Sequence, residues 1–118
     1  MHNLKNENMG KFQIKKRSND EFQFNLKAAN GEIILTSEGY KTKASCETGI
    51  ASVKKNAVED KKYEKLISKN NKHYFNLKAG NGEIIGTSEM YESVESRDGG
   101  IDSVKRNAPV AIIDDQTK

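Results

Sequence analysis

From Phe22 the chain alternates, with Phe22, Phe24, Leu26 and Ala28 on one side and Gln23, Asn25 and Lys27 on the other. That period of two predicts a half-buried β-strand. Asn30-Gly31 follows at once and predicts a two-residue type I′ hairpin, in which both central residues take positive φ. Such a turn pairs Ala28 with Ile33, Leu26 with Leu35 and Phe24 with Ser37 on the core face. It pairs Lys27 with Ile34 and Asn25 with Thr36 on the outer face. A slip of one residue would invert both faces. Upstream, Phe12 and Ile14 alternate with Gln13 and Lys15 as a shorter strand, and Ser18-Asn19-Asp20 reads as the turn between the two.

After Tyr40 the period changes. Cys46, Ile50, Val53 and Ala57 recur at helical spacing, and Ser45 is the expected N-cap. Glu47 near the start and Lys54-Lys55 near the end complement the helix dipole. Gly49 inside the helix costs about 1 kcal/mol against alanine, which points to close packing of helix on sheet. Farther on, Ser96 is the expected cap of a second helix, which carries Gly100 and the stripe Ile101, Val104 and Ala108. Pro109 stops it, and Val110-Ala111-Ile112-Ile113 is short and apolar enough for a closing strand.

These elements come twice. Phe24 to Ala57 returns as Phe75 to Ala108, 51 positions later and without a gap, with 22 of 34 positions identical. Each unit reads strand, strand, strand, helix, short strand, and the first copy's closing segment, from Val58, runs almost directly into Lys61-Lys62-Tyr63. A unit of about 50 residues is marginal alone, so the two copies are expected to share one core. The expected organisation is a disordered leader over 1–9, a first repeat over 10–60, a second over 61–113 in the same compact domain, and a loose tail over 114–118. The fold class is α+β, with one joint, mostly antiparallel sheet and both helices on one face. A monomer with an internal pseudo-two-fold is expected. Phe24, Leu26, Ile33, Ile50 and Val53, with Phe75, Leu77, Ile84, Ile101 and Val104, form the expected core.

The phrases Phe-Asn-Leu-Lys-Ala-x-Asn-Gly-Glu-Ile-Ile, Thr-Ser-Glu-x-x-Tyr and Gly-Ile-x-Ser-Val-Lys-x-Asn-Ala resemble the YegP-like family of uncharacterised bacterial proteins (domain of unknown function 1508). The resemblance covers both repeats. It implies a β3-α-β unit, in tandem or as a homodimer, whose two copies join into a single sheet and exchange their C-terminal strands. It supplies no established activity and no catalytic residues. Three positions depart from strict repetition: Lys65 stands where Ile14 stands in the first copy, Gly86 where Leu35 stands, and Arg97 where Cys46 stands.

Composition narrows the function without naming it. Apolar residues make up 34% and charged residues 31%, which implies a small core and a well-solvated surface. Twenty basic residues against 17 acidic give +3, a weak bias for a nucleic-acid binder. The lone Cys46 has no partner for an internal disulfide. No apolar leader and no apolar run near 18 residues occurs, so a cytoplasmic protein without membrane contact is expected.

No constellation points to catalysis. Cys46 at a helix start would have its pKa lowered by the dipole, but a small packing residue is the simpler reading. His73 takes Phe22's place in the second copy, and a lone imidazole builds neither a metal site nor a triad. Glu32, Glu83, Glu38 and Glu89 fall at hairpin ends, where carboxylates are ordinarily solvated. No enzyme activity and no cofactor are expected.

The functional candidate is a surface. The sheet face away from the helices is expected to carry Asn25, Lys27 and Thr36 from one copy and Tyr74, Asn76, Lys78 and Thr87 from the other, beside Ile34 and Ile85. Amides, lysines and one aromatic on an open sheet suit phosphates and bases; they suit a protein patch, or plain solvation, equally well. A second candidate is a basic patch of Lys15, Lys16 and Arg17 with Lys54, Lys55, Lys105 and Arg106. The expected function is a small non-enzymatic accessory or interaction module. The alternative is a weak nucleic-acid binder using the open face and the helix-end lysines.

Overall fold

Seven strands and two helices follow the order β1 (Lys11–Lys16), β2 (Phe22–Lys27), β3 (Ile33–Thr36), α1 (Lys43–Asn56), β4 (Tyr63–Ile67), β5 (His73–Lys78), β6 (Ile84–Thr87), α2 (Val94–Asn107) and β7 (Ile112–Asp115). The structure is a computed structural model that describes residues 9–118; all but the last residue of the expected leader lies outside them. The strands form one sheet in the order β4-β5-β6-β3-β2-β1-β7, antiparallel except for the parallel β1–β7 pair. The two copies meet where β3 pairs with β6, with Thr36 opposite Thr87. The fold is therefore α+β, with two β3-α-β repeats in one sheet.

The strand exchange runs one way within the chain. β7, the closing strand of the second repeat, lies beside β1 of the first. Residues 61–64, which the 51-residue offset matches to β7, are instead the run into β4 and its first two residues. The strand also reaches into the tail expected to be loose. Asp114 and Asp115 belong to β7, the Gln116 amide donates to the Ile14 carbonyl at 2.9 Å, and Lys43 Nζ meets Asp115 at 2.8 Å.

The turns differ from the expected type I′ pair, with a consequence for register. Within the two Asn-Gly turns only the glycines, Gly31 and Gly82, take positive φ, each +88°. The Gly31 amide donates to the Ala28 carbonyl and the Ala28 amide to the Glu32 carbonyl, a type I turn closed by a left-handed glycine. The pairing near the turn is Lys27 with Ile33, and beyond it Leu26 with Leu35 and Asn25 with Thr36. Ile34 is the extra residue of a β-bulge, and Ile85 is its counterpart between the Lys78–Ile84 and Leu77–Gly86 pairs. A bulge re-aims side chains locally. Ile34 and Ile85, expected on the open face, are thus buried, while Ile33 is half-buried and Ile84 exposed. The other expected core residues are buried between sheet and helices.

Both helices begin one turn before their expected caps. Thr42 and Ser93 are the N-caps, each accepting from the amide of Ser45 or Ser96. Gly49 and Gly100 have a packing cause. A Cβ on Gly49 would lie 2.8 Å from Tyr40 Cζ, and one on Gly100 2.7 Å from Tyr91 Cζ. α1 packs on β2 and also reaches β5 and β6, while α2 packs on β5 and β3. Each helix therefore touches strands of both repeats, and the core is common to them.

Candidate functional site

Strand registers bring the open-face residues into a line. Reading across the sheet, Asp114, Gln13, Asn25, Thr36, Thr87, Asn76 and Glu64 are successive Cα partners on all seven strands. The row is itself two-fold repeated, since the 51-residue offset relates Gln13 to Glu64, Asn25 to Asn76 and Thr36 to Thr87. Its members bond sideways: Thr87 Oγ1 donates to Asn76 Oδ1 at 2.8 Å, Asn76 Nδ2 to Glu64 Oε1 at 3.4 Å, and Gln13 Nε2 to Asp114 Oδ2 at 3.3 Å. Gln13 Oε1 is buried and has no hydrogen-bond partner.

The lysines flank this row. Lys78 pairs with Glu64 at 3.4 Å and Lys11 with Asp114 at 3.9 Å. Lys27 enters no ion pair among the described residues. Hydrogen bonds from Gln116 and Gln13, then the charges of Lys11 and Lys27, hold the Asp114 carboxyl below the usual range. Tyr74 stands opposite Leu66 on β4 and is half-buried. All seven expected open-face residues therefore share one surface, which no other element of the described chain covers.

Three further members of the row, Gln13, Glu64 and Asp114, were missed in the sequence. Gln13 and Glu64 were visible through the repeat offset. Asp114 was not, because nothing local shows that β7 returns to β1.

The basic candidates do not form one patch. Lys16 Nζ lies 5.4 Å from the Phe22 ring at one end of β1, whereas Lys54 Nζ lies 5.9 Å from the Phe12 ring at the other. Four residues of strand separate those ends by roughly 13 Å. Lys15 and Lys55 are exposed, Arg17 pairs with Glu21 at 3.3 Å, Lys105 pairs with Asp60, and Arg106 Nε donates back to the Asp102 carbonyl.

Cys46 lies past the first turn of α1 and is fully buried, and burial, then the nearby Glu47 and Asp115, push its thiol up to about 11. That is the opposite of an activated nucleophile. His73 sits at the start of β5, its Nδ1 buried with no hydrogen-bond partner. Among the described residues no group of three or more histidine, cysteine or acidic side chains is placed to hold a metal ion. No described helix is long and apolar enough to cross a membrane.

A tandem β3-α-β protein with one joint sheet and an uncovered polar face is the class these features define. The chain belongs to the DUF1508 family, a domain of unknown function, which matches residues 18–64 and again 68–115. It is 56% identical over 108 residues to a UPF0339 protein of Acinetobacter baylyi, covering 92% of this chain and 97% of that one. It is 51% identical over 108 residues to the UPF0339 protein YegP of Escherichia coli K12, covering 92% and 98%. The solution NMR structure of the Escherichia coli YegP protein, described as of unknown function, superposes with a TM-score of 0.87 at 50% identity, covering 92% of this chain and 93% of that one. That of a UPF0339 protein of Shewanella oneidensis gives 0.85 at 51% identity, covering 90% of each.

Proposed function

We propose that this protein is a non-enzymatic interaction module whose open sheet face receives a protein partner. The observation that carries this reading is the polar row across all seven strands. Amides and hydroxyls offer donors and acceptors together, so such a row suits the mixed polar groups of a protein surface. Exposed Ile84 and Ile112 lie on the flanks of the face and add apolar contact. The carboxylates of Glu64 and Asp114 already face Lys78 and Lys11, which weakens the attraction for a polyanion. A weak nucleic-acid binder is the second reading, favoured by Lys27, which enters no ion pair among the described residues, and by the half-buried Tyr74 ring.

The test compares wild type with a Thr36→Arg, Thr87→Arg variant by affinity capture from the native cell and mass spectrometry. A protein retained by wild type and lost with the variant is the expected result. A salt-dependent mobility shift on mixed DNA and RNA addresses the second reading, because a phosphate binder loses affinity steeply between low and moderate salt. A shift abolished by Lys27→Ala, Lys78→Ala would replace the protein reading with the nucleic-acid one.

A further inference from the structure

The internal two-fold leaves one place in the fold unfilled. β7 lies parallel to β1, with Phe12 opposite Ile113, Gln13 opposite Asp114 and Ile14 opposite Asp115. The 51-residue offset turns those β1 residues into Tyr63, Glu64 and Lys65 of β4, and β4 ends the sheet. The backbone there is set to accept a strand. Phe75 donates its amide to Ser88 Oγ and accepts the Ser88 amide on its carbonyl, both on the side away from β4. Lys65, its antiparallel partner, therefore turns its own amide and carbonyl away from β5. In the first copy the matching carbonyl, of Ile14, accepts the Gln116 amide at 2.9 Å.

Side-chain space accompanies that backbone. A cleft of about 370 Å³ between β4 and α2 is lined by Tyr63, Lys65, Asp98, Ile101 and Lys105. The matching first-copy residues include Phe12, Ile14 and Ile50, which are buried in one cluster with Ala111 at the entry to β7.

The chemistry along the edge has changed in a connected way. Lys43, which holds Asp115 at 2.8 Å, becomes Val94, and Lys16 becomes Ile67; both replacements are exposed. Gln13, whose amide donates to Asp114 at 3.3 Å, becomes Glu64. A strand laid here meets apolar surface where β7 meets a lysine, and a carboxylate where β7 meets an amide. β7 of another molecule fits poorly, because it would set Asp114 against Glu64 and Asp115 beside Val94. The Lys65–Asp98 pair turns away unselective apolar strands as well. The edge instead fits a segment that keeps the Ala-x-Ile start of β7, then carries a basic residue opposite Glu64 and an apolar one beside Val94.

We propose that β4 accepts, as an added parallel strand, an extended segment of a protein partner with that pattern. The site is separate from the open sheet face.

Two peptides test it: residues 109–115 of this chain, Pro-Val-Ala-Ile-Ile-Asp-Asp, and the same segment with Asp114→Lys and Asp115→Val. Each is titrated to millimolar concentration into the ¹⁵N-labelled full chain. The altered peptide should shift the amides of Tyr63, Lys65, Ile67 and Ile101, and should slow hydrogen exchange at Lys65, whose amide has no neighbouring strand to protect it in the free protein. The unaltered peptide should bind several-fold more weakly. Glu64→Lys should invert the preference at that position, favouring a peptide with Asp115→Val alone over the doubly altered one. An unchanged spectrum away from β4 verifies that this variant keeps the fold. No binding by the doubly altered peptide, equal binding by it and the unaltered one, or a preference that Glu64→Lys leaves unmoved would each overturn the proposal. So would shifts along β4 that grow with protein concentration alone, which would make another molecule of this protein the occupant, or shifts at Thr36 and Thr87 in place of Lys65. The Thr36→Arg, Thr87→Arg variant should bind the peptide as wild type does, so failure of the open-face reading leaves this result untouched.

Discussion

β1 and β4 are the same strand in two copies, yet they live in different solvents. β1 is flanked by β2 and β7, and its Phe12 and Ile14 are fully buried. β4 is the outermost strand, with Lys65 exposed where Ile14 is buried and Ile67 62% exposed. Between α1 and β4 the chain makes only the 3-10 turn Asp60–Lys62, so it has no segment left to lay along β4 as β7 lies along β1. Lys65 reaches Asp98 at 3.6 Å, and Asp98 in turn meets Arg97, the residue at Cys46's position. Charged residues on an edge discourage pairing with another chain. The non-equivalent positions of the repeat thus mark where the two environments part.

Alanine at the paired positions gives the widest separation between the copies. Ile14→Ala removes a fully buried side chain on the strand that β7 flanks and should cost about 2–5 kcal/mol. Lys65→Ala touches an exposed side chain in a surface ion pair and should stay within about 0.5 kcal/mol. Urea denaturation of the two variants measures both. Similar losses would show that β4 is as enclosed as β1, and the edge account would fail.

The same comparison shows what the sequence makes legible. The repeat, the strand periods at Phe24 and Leu26, and the helical stripe at Ile50 and Val53 are local patterns, and each appears where its period places it. So do the amide and threonine positions of the open face, because their register holds beyond the turn. The Ile33 and Ile34 assignment failed for a local reason as well. Asn-Gly suits more than one turn, and the type I turn with Gly31 shifts the register by one until the bulge at Ile34 restores it. The caps were misplaced because Thr42 and Ser45 are both good cap residues three apart, and the Ser45 hydroxyl is spent on Thr42 at 2.9 Å. Asp114's place in the polar row depends on a parallel pairing 101 residues apart in sequence, which no local pattern carries.

At the seam between the copies, symmetry itself forbids identity. Leu35 and Gly86 occupy equivalent positions on β3 and β6, and a Cβ on Gly86 would lie 2.6 Å from the Leu35 side chain. Two leucines beside the pseudo-two-fold would claim one volume, so one copy supplies the bulk and the other the space. Gly86→Leu should overpack this position and cost about 1–3 kcal/mol. Exchanging the two, as Leu35→Gly with Gly86→Leu, should recover part of that loss, since the combined volume is unchanged. A double-mutant cycle reads the coupling. Strict additivity would show that the residues do not share space.

The smallest effect belongs to Cys46, present in the first copy alone. Its buried thiol is pushed up to about 11 from 9.0. A folded pKa above the unfolded one favours the protonated, folded form at low pH. The contribution is complete below pH 9 and is lost as pH rises through about 11, because the unfolded chain gives up the proton first. Stability measured between those limits should therefore fall more steeply in wild type than in Cys46→Ala. The phenols of Tyr63 and Tyr91, raised first by burial in both proteins, cancel in that difference, whereas Tyr40, raised by burial and then by the charge of Cys46, belongs to the same effect. Alkylation by iodoacetamide at pH 8 should be slow in the native protein and fast in urea. Equal rates in the two states would mean that the first helix opens readily at Cys46, and that the core of the first copy is looser than its full burial implies.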